Sequence, residues 1–371
     1  MLSQPLPVSI ITGFLGSGKT TLLNRLLQHP ALANSLVIIN EFGEVGIDHL
    51  LVSTPIENMR LLSNGCLCCA VRGELVETLA DAAQKRSEGV VPPFERVLVE
   101  TTGLADPVPI IQTIVTDEEI SQSYRLDTVI GLVDAVHAQS QFDNHAEAAK
   151  QVAVSDLLLV SKTDMADQHQ LAELEGRLRD INRGVDILRV VQGVVDPQLL
   201  FGRGTPSPLA KVGDVERWLG GRVDHGAPDC DLDGHEHCQH HDHVDSRHDN
   251  DIRTFTLFHD EPATPQAVTT WLTMLASFKG ANLLRVKGLI NVEGRAVVIH
   301  AVQTVIHEPI ELKEWPSPDK RSRVVFIVRH MRREELERSL DVLSIGDTHP
   351  GENRLDPKAY AQFVEMVKTF V

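Results

Sequence analysis

The stretch "IITGFLGSGKTTLLNRLL", residues 10–27, decides the architecture of this chain. An apolar run leads into Gly13, four residues intervene, and Gly18-Lys19-Thr20 opens a segment with helically spaced leucines. The pattern G-x-x-x-x-G-K-[ST] between strand and helix is a phosphate loop. Its glycines let backbone N–H groups turn inward around a β-phosphate, Lys19 reaches the outer phosphate oxygens, and the Thr20 hydroxyl suits Mg²⁺. The partial positive charge of the helix N-terminus adds to the same field. Gly13, Gly16, Ser17, Gly18, Lys19, Thr20 and Thr21 are the expected nucleotide contacts, with Lys19 also the expected catalytic charge. A ligand-free glycine-rich turn is the bland alternative, and the strand-then-helix context argues against it.

Outward from the loop, apolar runs alternate with helical patterns. Strands are expected at residues 6–12, 35–40, 60–63, 96–100, 128–133, 156–161 and 187–191, and helices at 19–28, 73–86, 107–115, 146–152 and 168–182. Runs such as "VIIN" and "DLLLVS" are apolar on consecutive residues, as strands buried on both faces read. Right-handed βαβ crossovers then give an α/β fold, a doubly wound, mostly parallel sheet. Beyond residue 251 the pattern becomes a smaller α+β unit: "IRTFTLF", "LLRVKGLINV", "AVVIHAVQTV" and "RVVFIVRH" read as strands that pair antiparallel. The expected organisation is a nucleotide-binding domain over 1–220, an acidic His-rich linker over 221–251, a C-terminal domain over 252–345 and a tail over 346–371.

Two further stretches carry nucleotide chemistry. "RVLVETTGLADP", residues 96–107, ends a strand in Glu100, an acid able to hold Mg²⁺, and Gly103 lets a backbone N–H approach a γ-phosphate. "LLLVSKTD", residues 157–164, resembles the guanine-reading N-K-x-D pattern with Ser161 in place of Asn, and makes Lys162 and Asp164 the expected base contacts. A carboxylate there accepts from guanine N1–H and the exocyclic amine, which adenine cannot supply, so guanine is preferred.

The third question is "SNGCLCCAVRGEL", residues 63–75, which puts three of the five cysteines into four positions. Inert burial is the common fate of a single cysteine, and Cys66 and Cys69 have redox-pair spacing without a thioredoxin-like pattern. Metal binding by Cys66, Cys68 and Cys69 is the preferred reading, and thiolates favour Zn²⁺ or Co²⁺ over Mg²⁺. "NEFGEVGID", residues 40–48, follows a strand and is the expected switch; Glu41 and Glu44 there could approach both metal sites. Asp48 is a weak candidate for positioning the attacking water.

Charge narrows the partners. The formal net charge is −17, and eight Asp and one Glu against one Arg fall within residues 224–251. This opposes general nucleic-acid or anionic-membrane binding. The same window holds His235, His237, His240, His241 and His243, a weak loading site for imidazole-binding ions. No basic leader and no long apolar run is seen, so a cytoplasmic protein is expected.

In this order, "GFLGSGKTT", "NEFGEVGID", "GCLCC", "ETTGLADP" and "SKTD" resemble the CobW-like metallochaperone GTPases, relatives of the UreG and HypB nickel-insertion GTPases. "LLRVKGLINVEG" and "HAVQ" are similar to the C-terminal domain of that family. The resemblance implies GTP, Mg²⁺ and a transition metal, Zn²⁺ or Co²⁺, delivered to a client metalloprotein or a metal-cofactor biosynthesis enzyme, and it leaves room for a homodimer. A metal buffer or sensor with a slow nucleotide site is the alternative, as is a phosphate-loop kinase, against which the SKTD stretch speaks.

Overall fold

The computed structural model describes residues 5–40, 59–62, 70–206, 210, 212–220 and 252–345. The first 200 residues supply β1 (Leu6–Gly13), α1 (Lys19–Leu27), β2 (Ser35–Asn40), β3 (Met59–Leu62), α2 (Ala70–Ser87), β4 (Arg96–Glu100) and α3 (Val108–Thr116). They continue with α4 (Glu118–Ser123), β5 (Tyr124–Asp134), α5 (Ala138–Asn144), α6 (Ala146–Val154), β6 (Leu157–Ser161), α7 (Gln168–Ile181) and β7 (Asp186–Arg189). The seven strands form one sheet in the order β3-β2-β4-β1-β5-β6-β7, every neighbouring pair parallel.

Consecutive apolar residues in the strands are explained by cover on both faces. Leu157 and Leu159 of β6 pack with Leu22, Leu23 and Leu26 of α1 on one side. Leu158 and Val160 pack with Val152 of α6 and Leu171, Leu174 and Leu178 of α7 on the other. β6 thus loses water on both sides, as β1, β4 and β5 do over most of their length, which is why no polar alternation survives there. The helices begin where the chain supplies caps: Asp117 accepts from the Glu119 and Ile120 amides to start α4, and Asp167 forms a capping box with Gln170 to start α7. The structure adds α4 and α5, six and seven residues long. They are too short for apolar periodicity to declare them.

The second unit runs β8 (Ile252–His259), α9 (Pro265–Lys279), β9 (Leu283–Val292), β10 (Arg295–Val302), β11 (Val305–Ile306), β12 (Ile310–Glu311), β13 (Ser322–Arg329) and α10 (Arg333–Leu340). Its sheet is antiparallel, ordered β11-β10-β9-β13-β8 with β12 paired to β10. Trp271 of α9, fully buried, packs edge-on to Phe326 of β13 at 6.2 Å between ring centroids. The other face of this sheet is covered from outside the unit: α8 (Val212–Trp218) and Leu219 pack Val215, Trp218 and Leu219 on Leu289, Ala296 and Val298. The span 221–251 therefore leaves from a segment already docked on the second sheet, and that span and residues 346–371 lie outside the described residues.

The two units meet over buried charge. Arg285 of β9 pairs with Asp156, both at most 2% exposed, and donates to the carbonyls of Val154 and Ser155 at 2.8 and 2.7 Å. Near it lie Lys287, bonded to the Trp218 carbonyl at 3.1 Å, and the stacked rings of His300 and His307, 4.3 Å between centroids. Burial, helped by the Arg285 charge, drives the Lys287 amine down to about 7 from its ordinary 10.5. Burial likewise pulls His307 to about 4, and His300 well below its usual value.

These groups are neutral in the fold at a pH where the unfolded chain still binds their protons, so stability rises with pH across each gap. For Lys287 the gap runs from about 7 to 10.5. The expected result is that Lys287→Met flattens the rise in urea-unfolding free energy between about pH 7 and about pH 9 and is more stable than the parent at the lower value. An unchanged slope would count against the buried amine as its source.

Candidate functional site

In a doubly wound sheet a ligand sits beyond the carboxyl ends of the strands. There the loops after β1, β4, β5 and β6 converge. Gly13 has φ 144° and Gly18 φ 98°, and a Cβ on Gly13 would lie 2.4 Å from the Leu132 carbonyl. The backbone of the loop thus passes where no side chain fits, the condition for a tight cradle of amides. Ser17 is fully buried, and its amide bonds the Phe14 carbonyl at 3.1 Å. Gly16, with φ 73°, forms the outer bend, and Thr21 follows Thr20 in the first turn of α1.

Lys19, 8% exposed, holds its ammonium 2.8 Å from the Gly13 carbonyl and 3.2 Å from that of Phe14. The Thr20 hydroxyl donates to Glu100 Oε1 at 2.9 Å across a sequence gap of 80 residues. The two expected Mg²⁺ groups are therefore in mutual contact at the mouth of the loop. A carboxylate and a hydroxyl oxygen are the hard donors Mg²⁺ takes, with water completing its shell. Gly103 lies against the loop: a Cβ there would meet Leu15 at 2.6 to 2.8 Å. Close approach explains glycine at that position.

The base-side residues assemble as well. The Ser161 hydroxyl donates to the Ser17 carbonyl at 2.7 Å, tying the end of β6 to the phosphate loop. Serine thus provides a short tether at the position where the guanine pattern has Asn. Lys162 sits in the left-handed region at φ 57° and extends to Asp134 Oδ2 at 2.6 Å. Asp164 is exposed in the middle of the turn Thr163–Met165.

Asp134 was not anticipated from the sequence. It ends β5, is buried, and also accepts from the ring of His137 at 2.9 Å and the Val136 amide at 2.9 Å. Burial alone would raise its carboxyl, but the Lys162 and His137 bonds outweigh it and hold it below the ordinary range. A strand ending in Asp beside the SKTD strand, "GLVDAVHA", was the available signal.

Glu41, Glu44, Asp48, Cys66, Cys68 and Cys69 lie outside the described residues, as do His235, His237, His240, His241 and His243. Among the described residues no group of three or more His, Cys, Asp or Glu is arranged to hold a metal ion. A cavity of about 1020 Å³, lined by Asp127, Asp156, Trp218 and Lys287, opens between the units at the amino ends of β5 to β7. It faces away from the phosphate loop, which lies at the carboxyl ends of the same strands.

Residues 7–189 match the family model described as CobW/HypB/UreG, nucleotide-binding domain, and residues 252–343 match the Cobalamin synthesis protein cobW C-terminal domain. The zinc chaperone YjiA of Escherichia coli (strain K12) is 32% identical over 336 residues, 90% of this chain and 97% of that protein. The chain belongs to the CobW family. The zinc chaperone CobW of Pseudomonas aeruginosa is 31% identical over 236 residues, covering 55% of this chain and 61% of that one. Among solved structures, the Zn(II)-bound YjiA GTPase from E. coli aligns with TM-score 0.65 at 28% identity, over 92% of this chain and 99% of that one. The CobW-family assignment fits the two units seen here, a parallel sheet with a phosphate loop followed by a separate antiparallel sheet. No helix among the described residues is long and apolar enough to cross a membrane.

Proposed function

We propose that this CobW-family chain is a GTP-hydrolysing metallochaperone that takes zinc as cargo at Cys66, Cys68 and Cys69 and passes it to a client metalloprotein or a metal-cofactor biosynthesis enzyme. The observation that carries the hydrolase half is the meeting of Lys19, Thr20 and Glu100 at one mouth, with the Gly103 loop packed against it. In hydrolysis, a water oxygen bonds the γ-phosphorus as the bridging P–O bond to the β-phosphate breaks, giving GDP and inorganic phosphate. Lys19 turns from its own loop carbonyls to the phosphate oxygens and offsets the charge that spreads over them. Thr20 and Glu100 would hold Mg²⁺, which neutralises phosphate charge when bound. Lys162 and Asp134 brace the turn bearing Asp164, whose carboxylate reads the guanine edge.

The cargo half is supported by chemistry and by relatives. Three thiols within four positions are soft ligands suited to zinc. They follow β3, whose carboxyl end lies at the same sheet edge as the phosphate loop because the sheet is parallel. YjiA of E. coli and CobW of P. aeruginosa are both named zinc chaperones. Zinc is favoured over Co²⁺ on this basis. Glu41 and Glu44 link the two sites when GTP is bound, and the histidines of 235–243 raise local metal supply.

Linkage gives the test. If nucleotide state sets cargo affinity, zinc binds more tightly with a non-hydrolysable GTP analogue than with GDP, by about tenfold for a typical coupling. Competition with a zinc-chelating dye reads this, and Cys68→Ala should abolish the difference while hydrolysis persists. Equal zinc affinity in the two nucleotide states would sink the carrier reading and leave a metal buffer.

A further inference from the structure

One short helix touches the Gly103 loop, the phosphate loop and the second sheet. Helix α6 carries Lys150 and Gln151 on successive positions. Gln151, 2% exposed, donates from one amide nitrogen to the carbonyls of Gly103 at 3.2 Å and Ala105 at 3.0 Å. Lys150 pairs with Asp106 of the same loop. The phosphate loop leans on this helix too, through Phe14 packed with Ala148, Ala149 and Val152. Its far end is fixed from the second sheet, where Arg285 donates to the carbonyls of Val154 and Ser155. Asn182 adds bonds to Val152, Ala153 and Ser155.

We propose that Gln151 is the positioning residue for the Gly103 loop in GTP hydrolysis, and that Arg285 holds the helix carrying it, so the C-terminal sheet bears on the γ-phosphate end of the site through α6.

A trans peptide is planar, and its N–H points opposite its C=O. The Thr102 carbonyl accepts from the Ala105 amide at 3.2 Å, and Gln151 draws the Gly103 and Ala105 carbonyls toward α6. Fixing three carbonyls of one loop fixes the direction of the three amides that follow them. A loop that must recognise a γ-phosphate by its backbone works only while those directions hold. Gln151 is the side chain that sets two of them. Without its amide, two inward carbonyls lose their donor, and the loop gains by turning them to water. Both Gln151 bonds go to the Gly103 loop, whereas the α- and β-phosphates belong to the glycine loop, which meets α6 through Phe14 against Ala148, Ala149 and Val152. Loss of Gln151 therefore separates GTP from GDP.

The proposal rests on Gly103 serving the γ-phosphate, so the experiment includes that residue. Affinities for GTPγS and GDP, with Mg²⁺, are measured on the full chain for Gln151→Leu, Lys150→Met, Arg285→Lys and Gly103→Ala, together with kcat for GTP. For Gln151→Leu the expected result is GDP affinity unchanged, the GTPγS-to-GDP affinity ratio down about tenfold, or ~1.4 kcal/mol, and kcat lower. Lys150→Met, which loosens the same loop from a partly exposed position, should move the ratio in the same direction and covers the case in which Gln151→Leu fails to fold. Arg285→Lys keeps a charge for Asp156 but weakens the carbonyl bonds; it too should lower the ratio, and its effect in the Gln151→Leu background should be less than additive. A ratio preserved in Gln151→Leu and Lys150→Met while Gly103→Ala lowers it overturns the positioning role. Equal losses for both nucleotides also overturn it, since they report a structural role alone. A ratio that survives Gly103→Ala as well overturns the γ-phosphate reading beneath it.

Discussion

Lys19→Ala is expected to lower GTP turnover by about 100- to 1,000-fold, the loss typical when one preorganised charge at a transition state is removed. The size follows from where the ammonium is kept. Lys19 is 8% exposed, and its charge is held at the loop mouth by two loop carbonyls rather than left to solvent. The cost of desolvating it is met in folding, so little reorganisation is needed when phosphate oxygens replace those carbonyls. Alanine removes the charge and leaves the Gly13 and Phe14 carbonyls facing the phosphates, which adds repulsion to the loss. Lys19→Arg should not rescue, because a planar guanidinium is larger than the space 2.8 Å from the Gly13 carbonyl that the ammonium fills. Phosphate release at saturating GTP measures the effect, with far-UV circular dichroism as the control for folding. Turnover within about threefold of the parent would remove Lys19 from the hydrolytic machinery.

The sequence carried the frame of this site well because its signals are local. The phosphate loop needs glycines at fixed offsets from a lysine, and the buried strands announce themselves as unbroken apolar runs such as Leu157–Ser161. Glu100 could be read from a strand that ends in an acid, and its contact with Thr20 follows once β1 and β4 lie side by side. What stayed hidden depends on pairs far apart in the chain. Gln151 sits on an ordinary amphipathic helix, and nothing around it signals that its amide ends on Gly103, 48 positions earlier. Ser161 looked like a weakened guanine motif, whereas its hydroxyl supplies a tether to Ser17 across 144 positions. Asp134 had a legible signal, an acid ending a strand, but its partner Lys162 had already been assigned to the base. Helix α8 was grouped with the first unit by its position in the chain, yet its apolar face belongs to the second sheet.

Arg285 shows most sharply what a strand pattern conceals. In "LLRVKGLINV" Arg285 and Lys287 are two charges within a stretch read simply as a strand. In the fold β9 is buried at all ten positions, and Arg285 is 1% exposed between the two units. Its guanidinium meets Asp156 and two carbonyls at the end of α6, while Asp156 also accepts from the Val129 amide at 2.8 Å. Arg285→Met should therefore destabilise the protein by about 3 to 5 kcal/mol, because it leaves a buried carboxylate without its cation and takes the guanidinium from the Val154 and Ser155 carbonyls, of which Ser155 keeps its bond from Asn182. Restoring apolar balance with Asp156→Leu in the same chain should recover only part of this. The Val129 amide and the Val154 carbonyl would still lack these partners, and Ser155 would keep its bond from Asn182 alone. Urea unfolding followed by tryptophan fluorescence reads the second sheet, on whose opposite faces Trp218 and Trp271 lie, and far-UV circular dichroism reads both units. A loss below about 1 kcal/mol, the value of an exposed ion pair, would mean that water reaches Asp156 and that the contact between the units is looser than its burial implies.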